Sequence, residues 1–179
     1  MSRMFLALPL PDAVRSALAV QQVLLPLPRR VDPQDLHLTL VFLGDTPEVA
    51  LEEAHDGFAG LRAPAMTLAL QGLGLFGGTR PRAAWAGVAP SEPLIRLQAR
   101  ADRLARLAGC AVESRRFVTH VTLGRFSVPP PPQALRRERA IAMTSFATPP
   151  FEVTEMVPVQ STLTPRGARH DRLAHYPLG

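Results

Sequence analysis

A chain of 179 residues that is 46% hydrophobic and 20% charged can bury one sizeable core or two small fused lobes, and no stretch has the composition of a disordered tail. The single cysteine, Cys110, excludes an internal disulfide and any Cys-x-x-Cys redox or zinc pattern, and it reads as a half-buried small apolar side chain. All 20 basic residues are arginine, for a net charge of +5; this excludes a Walker-type phosphate loop, Schiff-base chemistry and self-adenylation of a lysine, while suiting phosphate-bearing ligands such as RNA or nucleotides.

The opening RMFLALPLP predicts a strand stopped by prolines, and PDAVRSALAVQQVLL a helix with Ala, Val and Leu at helical spacing. LHLTLVFLG alternates like a strand, and the helix TPEVALEEAHDGFAGL is expected to start with Thr46 as N-cap and Pro47 in its first turn. AMTLALQGLGLF and RAAWAGVA read as two strands of a hairpin joined by GGTRP. A second round follows: a helix over SEPLIRLQARADRLARLAGC capped by Ser91 and ended by Gly109, the strand FVTHVTLGRF, the prolines Pro129 to Pro132 as a stiff loop, and a short helix QALRRERAIAM. FEVTEMVPVQSTL and ARHDRLAHYPL supply the closing strands. The expected fold is therefore α+β and bilobal, with two pseudo-symmetric lobes, each a mostly antiparallel sheet with flanking helices, and a cleft between them. Residues 1–179 are expected to form a single domain of two intertwined lobes. No apolar run is long enough to cross a bilayer, and the N-terminus lacks a basic region before a long apolar segment, so a soluble, cytoplasmic protein without a membrane partner is expected. A monomer is the expected form.

One short pattern occurs twice, as HLTL from His37 and as HVTL from His120. Side chains on a strand alternate between faces, so His37 shares a face with Thr39, and His120 with Thr122, while the apolar residues between them anchor each strand in a core. The pseudo-twofold arrangement brings the two polar pairs together across the cleft. Two imidazoles on opposite sides of a phosphate can act as base and acid in an in-line displacement at phosphorus. The two hydroxyls can donate to its non-bridging oxygens. Neither a metal nor another cofactor is required for this chemistry, and the sequence offers no convincing metal site.

With these residues the chain resembles the two-histidine phosphoesterase superfamily, and within it the bacterial and archaeal RNA 2′,3′-cyclic phosphodiesterases, also called the 2′-5′ RNA ligase family. The resemblance runs nearly end to end, through RMFLALPLP, LHLTLVFLG, RPRAAWAGV, FVTHVTLGRF and VQSTLTPRGARHDRLAHYPL. It implies metal-independent hydrolysis of 2′,3′-cyclic phosphate ends of RNA, such as tRNA fragments or nucleotides, to 2′-phosphomonoesters, with reversible 2′-5′ ligation as a minor activity. In that scheme His37 is the proton donor to the leaving 3′ oxygen, His120 the acceptor that activates water, Thr39 and Thr122 hold the phosphate, and Arg125 adds positive charge at the mouth. Strict alternation from His120 turns Arg125 to the wrong face, so Gly124 is expected to bend the strand. The family's usual Arg before the closing Ser-x-Leu is here Gln160.

Two alternatives remain at this stage: a phosphodiesterase acting on a small cyclic phosphate, such as a cyclic nucleotide or an ADP-ribose cyclic phosphate, and a non-catalytic RNA or nucleotide-binding module. His55 is expected to be solvated or capping, His170 and His175 to stand apart from the chemistry, and Trp85 to be a core aromatic or a base-stacking surface. Arg29, Arg30, Arg80, Arg82, Arg115 and Arg116 are either a positive rim for an RNA backbone or solvated loop charges.

Overall fold

The computed structural model describes residues 2–25, 27–114, 116–127, 133, 136, 145–165 and 167–179. The expected proline loop at 129–132, and all but two positions of the short helix after it, fall outside the described residues. In chain order the elements are β1 (Ser2–Pro9), α1 (Asp12–Leu24), β2 (Arg29–Arg30), a 3-10 turn (Pro33–Asp35), β3 (His37–Gly44), α2 (Glu48–Gly60), β4 (Met66–Leu68), β5 (Leu70–Phe76) and β6 (Ala83–Val88). There follow α3 (Glu92–Leu107), β7 (His120–Arg125), β8 (Phe151–Val153), β9 (Glu155–Thr164), β10 (Gly167–Arg172) and β11 (Tyr176–Pro177).

The α+β, antiparallel character expected from the sequence is found. One sheet runs β10-β9-β1-β3-β7-β6-β5, with β2 added to β7 and β11 to β9. The two halves, β10-β9-β1-β3 and β7-β6-β5, join edge to edge at the middle, where Leu38 pairs with Val121. Both residues of that pair are fully buried. The helices cover one face of the sheet, with Val14, Leu18, Ala54, Phe58, Leu94, Leu97, Ala101 and Ala105 packed in one core with Leu38, Leu40, Val121 and Leu123. The other face, here the open face, carries a small separate cluster of Phe5, Ala7, Val157 and Val159.

Helix ends follow local chemistry. Ser91 caps α3 by accepting from the Leu94 amide at 3.4 Å, and Gly109, at φ 83°, turns the chain out of it. At α2 the helix starts at Glu48 behind Pro47, and the Thr46 hydroxyl is drawn instead to Leu43 O while accepting from the Ala111 amide. Thr46 thus ties β3 to the segment after α3 rather than capping α2. AMTLALQGLGLF divides at Ala69: β5 forms the expected hairpin with β6, whereas β4 leaves to pair with β8 in a separate two-stranded sheet. Among the described residues no helix is long and apolar enough to cross a membrane.

Both motif strands are bulged at the same place. On β3, Thr39 pairs with Ala7 and Val41 with the adjacent Leu6, leaving Leu40 as an extra residue. On β7, Thr122 pairs with Trp85 and Gly124 with the adjacent Ala84, leaving Leu123 extra. The fourth residue of each His-x-Thr-Leu copy is therefore the bulge residue, and both leucines are buried. A bulge frees ladder groups that must find other partners. On β7 the Leu123 carbonyl is met by the Val31 amide at 3.0 Å and by Nε2 of the buried Gln22 at 2.7 Å.

Candidate active site

The Leu38–Val121 pair fixes the geometry of the four motif side chains. In an antiparallel pair, His37 then stands opposite Thr122 and Thr39 opposite His120, all four on the open face. The histidines occupy one diagonal of this square and the threonines the other. Diagonal neighbours in a regular pleat are roughly 7–8 Å apart, room for a phosphate between two imidazole arms.

Both rings are oriented by the same device. His37 Nδ1 lies 2.6 Å from Asp35 O, and His120 Nδ1 lies 2.7 Å from Val118 O, each the carbonyl two residues upstream. A carbonyl only accepts, so each Nδ1 carries a proton. His37 Nε2 is 3.1 Å from Thr39 Oγ1, and with Nδ1 protonated the neutral ring accepts there from the hydroxyl. Aromatic walls complete the orientation: Phe5 stacks on His37 at 4.7 Å, and Phe76 meets His120 edge-on at 4.8 Å.

Burial pushes His37 down to about 4, reinforced by charge on His170, His120 and Arg172 and opposed by the hydrogen bond to Asp35 O. The ligand-free site therefore holds His37 neutral near neutral pH.

The bulge at Leu123 settles the face of Arg125. Trp85 and Thr122 share the open face; Ala84 and Gly124, one pair on, share the helix face; Ala83 and Arg125 return to the open face. The expected bend is this extra residue at Leu123, with Gly124 pressed so close to Arg29 O that an added Cβ would lie 2.6 Å from it. Arg29 pairs with Arg125 across β2 and β7, so two exposed guanidinium groups stand side by side at the mouth. Trp85 also lies on the open face rather than in the helix-side core, seated over Gly74 and 6.4 Å from His120. Gln160 pairs with Met4, whose side chain belongs to the helix-side core, and so lies on the face away from the histidines.

These features have relatives. The sequence profile of the 2′-5′ RNA ligase superfamily matches residues 10–161. The chain belongs to the 2′-5′ RNA ligase superfamily. A protein of Geobacillus stearothermophilus named RNA 2′,3′-cyclic phosphodiesterase is 32% identical over 99% of this chain and 57% of its own length. One of the same name from Archaeoglobus fulgidus is 28% identical over 92% of this chain and 94% of its own. The crystal structure of Escherichia coli LigT complexed with 3′-AMP superposes with a TM-score of 0.79 at 27% identity, covering 99% of this chain and 98% of the other. The chain thus spans little more than half of the Geobacillus protein and nearly all of the other two.

In this member of the 2′-5′ RNA ligase superfamily the site also holds a residue that the sequence reading set apart. His170, on β10, packs edge-on against His37 at 5.6 Å and against Phe5 at 5.5 Å, so the expectation that it stands away from the chemistry is corrected. The other two histidines do stand apart: His55 Nδ1 lies 2.6 Å from the Tyr176 hydroxyl and His175 Nδ1 lies 2.8 Å from Glu155.

Proposed function

We propose that this protein hydrolyses 2′,3′-cyclic phosphate ends of RNA to 2′-phosphomonoesters by paired general acid and base catalysis. The observation that carries this reading is the diagonal placement of two histidines whose Nδ1 atoms are anchored in the same way. The relatives named for this activity support the substrate class. His120 Nε2 takes a proton from water as its oxygen attacks phosphorus opposite O3′. The P–O3′ bond breaks, and His37, protonated in the complex, gives its Nε2 proton to O3′. The product keeps the phosphate on O2′, and the proton left on His120 returns to His37 through solvent.

Thr39 has a switching part in this scheme. Its hydroxyl donates to neutral His37 Nε2 in the free site; once Nε2 is protonated that acceptor is gone, and the hydroxyl turns to a non-bridging oxygen. Thr122 donates from the opposite corner, and Arg125 with Arg29 supplies positive charge to the incoming strand. All four motif residues come from one chain, which supports a monomer as the acting unit.

The test is an oligoribonucleotide ending in 2′,3′-cyclic phosphate, incubated with the protein and excess EDTA, with the 2′- and 3′-phosphate products resolved. A 2′-phosphate product is expected; a 3′-phosphate product, or no turnover, overturns the proposal. Thr39→Val and Thr122→Val are each expected to lower kcat by about 10- to 100-fold, the range for losing one donor to a charged oxygen. A larger effect on KM than on kcat in these variants would assign the threonines to ground-state binding instead.

A further inference from the structure

Beside His37, on the side away from His120, a small pocket is lined by Pro9, Gln34, Asp35, His170 and Arg172 above a floor of Val157 and Val159. His170 and Arg172 reach it because they pair with Ser161 and Val159, alternate open-face positions of β9. His170 Nδ1 is buried, lacks a hydrogen-bond partner among the described residues and is 3.7 Å from an Asp35 carboxylate oxygen. With Nδ1 turned to Asp35, Nε2 is the nitrogen left for a ligand. The Arg172 guanidinium makes no side-chain hydrogen bond or ion pair with the described residues, though its charge acts on Asp35, whereas Arg169 on the opposite face is paired to Asp171. A guanidinium and an imidazole on one wall beside His37 form a recognisable chemistry for a phosphate anion.

The stereochemistry of the substrate says which phosphate. When O3′ leaves toward His37, the ribose lies on the His37 side of phosphorus. C3′ is bonded to C4′, which carries the C5′ arm, whereas the base hangs from C1′ beyond C2′. The 5′ arm therefore leaves the ribose at the end nearest His37 and heads for the wall made by His170 and Arg172.

We propose that His170 and Arg172 form a subsite for the phosphodiester that precedes the terminal nucleotide, so that the enzyme prefers an RNA end over a free nucleoside cyclic phosphate. This rests on the cyclic-phosphodiesterase reading above and on His37 facing O3′. Asp35 touches both parts of it: its carbonyl fixes His37, and its carboxylate lies 3.7 Å from His170 Nδ1.

The test compares kcat/KM for adenosine 2′,3′-cyclic phosphate with that for the dinucleotide ApA ending in 2′,3′-cyclic phosphate. The wild-type protein is expected to favour the dinucleotide, and Arg172→Gln and His170→Gln are each expected to lower that preference by about tenfold, the effect of one charge-assisted contact. Arg172→Lys is expected to restore part of the preference, and the loss is expected in KM rather than kcat. If the variants lower both substrates equally, His170 and Arg172 act only by packing on His37 and the subsite is overturned. If the wild type turns over both substrates without preference, the subsite is overturned while the activity stands. If it turns over neither, the activity itself fails, and the subsite with it.

Discussion

His37→Ala and His120→Ala are each expected to lower kcat on a cyclic-phosphate RNA end by about 10³- to 10⁴-fold, at the upper part of the range for loss of a general acid or base. The histidines act on one phosphorus in one transition state, so the double variant is expected to be little worse than either single one. Neither ring holds the sheet together. Leu38 and Val121 join its halves from the other face, and the anchors of both rings are side-chain contacts to carbonyls two residues upstream, just before each strand. The variants are therefore expected to unfold cooperatively with the wild-type denaturant slope, and their circular dichroism to be unchanged. Single-turnover measurement of the 2′-phosphate product checks the loss. Substantial residual turnover in either variant would remove that histidine from the chemistry, and an additive double variant would separate the two roles.

The part of the site legible in the sequence is the part that depends on local geometry. Period-two alternation places His37 with Thr39 and His120 with Thr122 without any knowledge of the partner strand. What the repeat could not show was why leucine follows in both copies. A bulge is a property of a ladder, and Leu40 and Leu123 are extra only relative to Ala7–Leu6 and Trp85–Ala84 on neighbouring strands. The same extra residue decides the face of Arg125, which strict counting from His120 puts on the wrong side. His170 was hidden for a similar reason. It reaches His37 through the hairpin pairing of β10 with β9 and the long-range pairing of β9 with β1, which leaves no periodic trace near position 170. Gln22 gave no signal either, because a Gln pair on an amphipathic helix reads as surface, yet Gln22 is buried at 3% exposure to hold the carbonyl that the β7 bulge releases. Thr46 shows the converse: a sound capping signal was outcompeted by a tertiary partner, the Ala111 amide.

Phosphate binding is expected to reverse the protonation of His37, and this is measurable in both stability and titration. In the folded, ligand-free protein burial holds His37 at about 4, whereas the unfolded chain titrates near 6.5. Above that range neither state binds the proton. As pH falls through it the unfolded chain takes up a proton that the folded chain refuses, so stability present above pH 6.5 is lost on the way down to about 4. The loss amounts to about 3 kcal/mol for a shift of this size. Asp35, raised by burial, contributes with the opposite sign just above its ordinary value of 3.8, so the comparison that isolates His37 is wild type against His37→Gln, both keeping Asp35. The difference in unfolding free energy between pH 7 and pH 5 is expected to be smaller in His37→Gln. An anion between the two Nε2 atoms favours the charged ring, so linkage requires it to bind more tightly as pH falls and to raise the His37 titration in proportion. An imidazole nitrogen NMR titration with and without a nucleoside 2′-monophosphate reads this directly, with His37 neutral at pH 7 alone and its midpoint moved upward in the complex. A midpoint that stays near 4 with ligand bound would leave the site without a charged acid at neutral pH and would pass the donation to O3′ to another group, of which His170 is the nearest imidazole on that side.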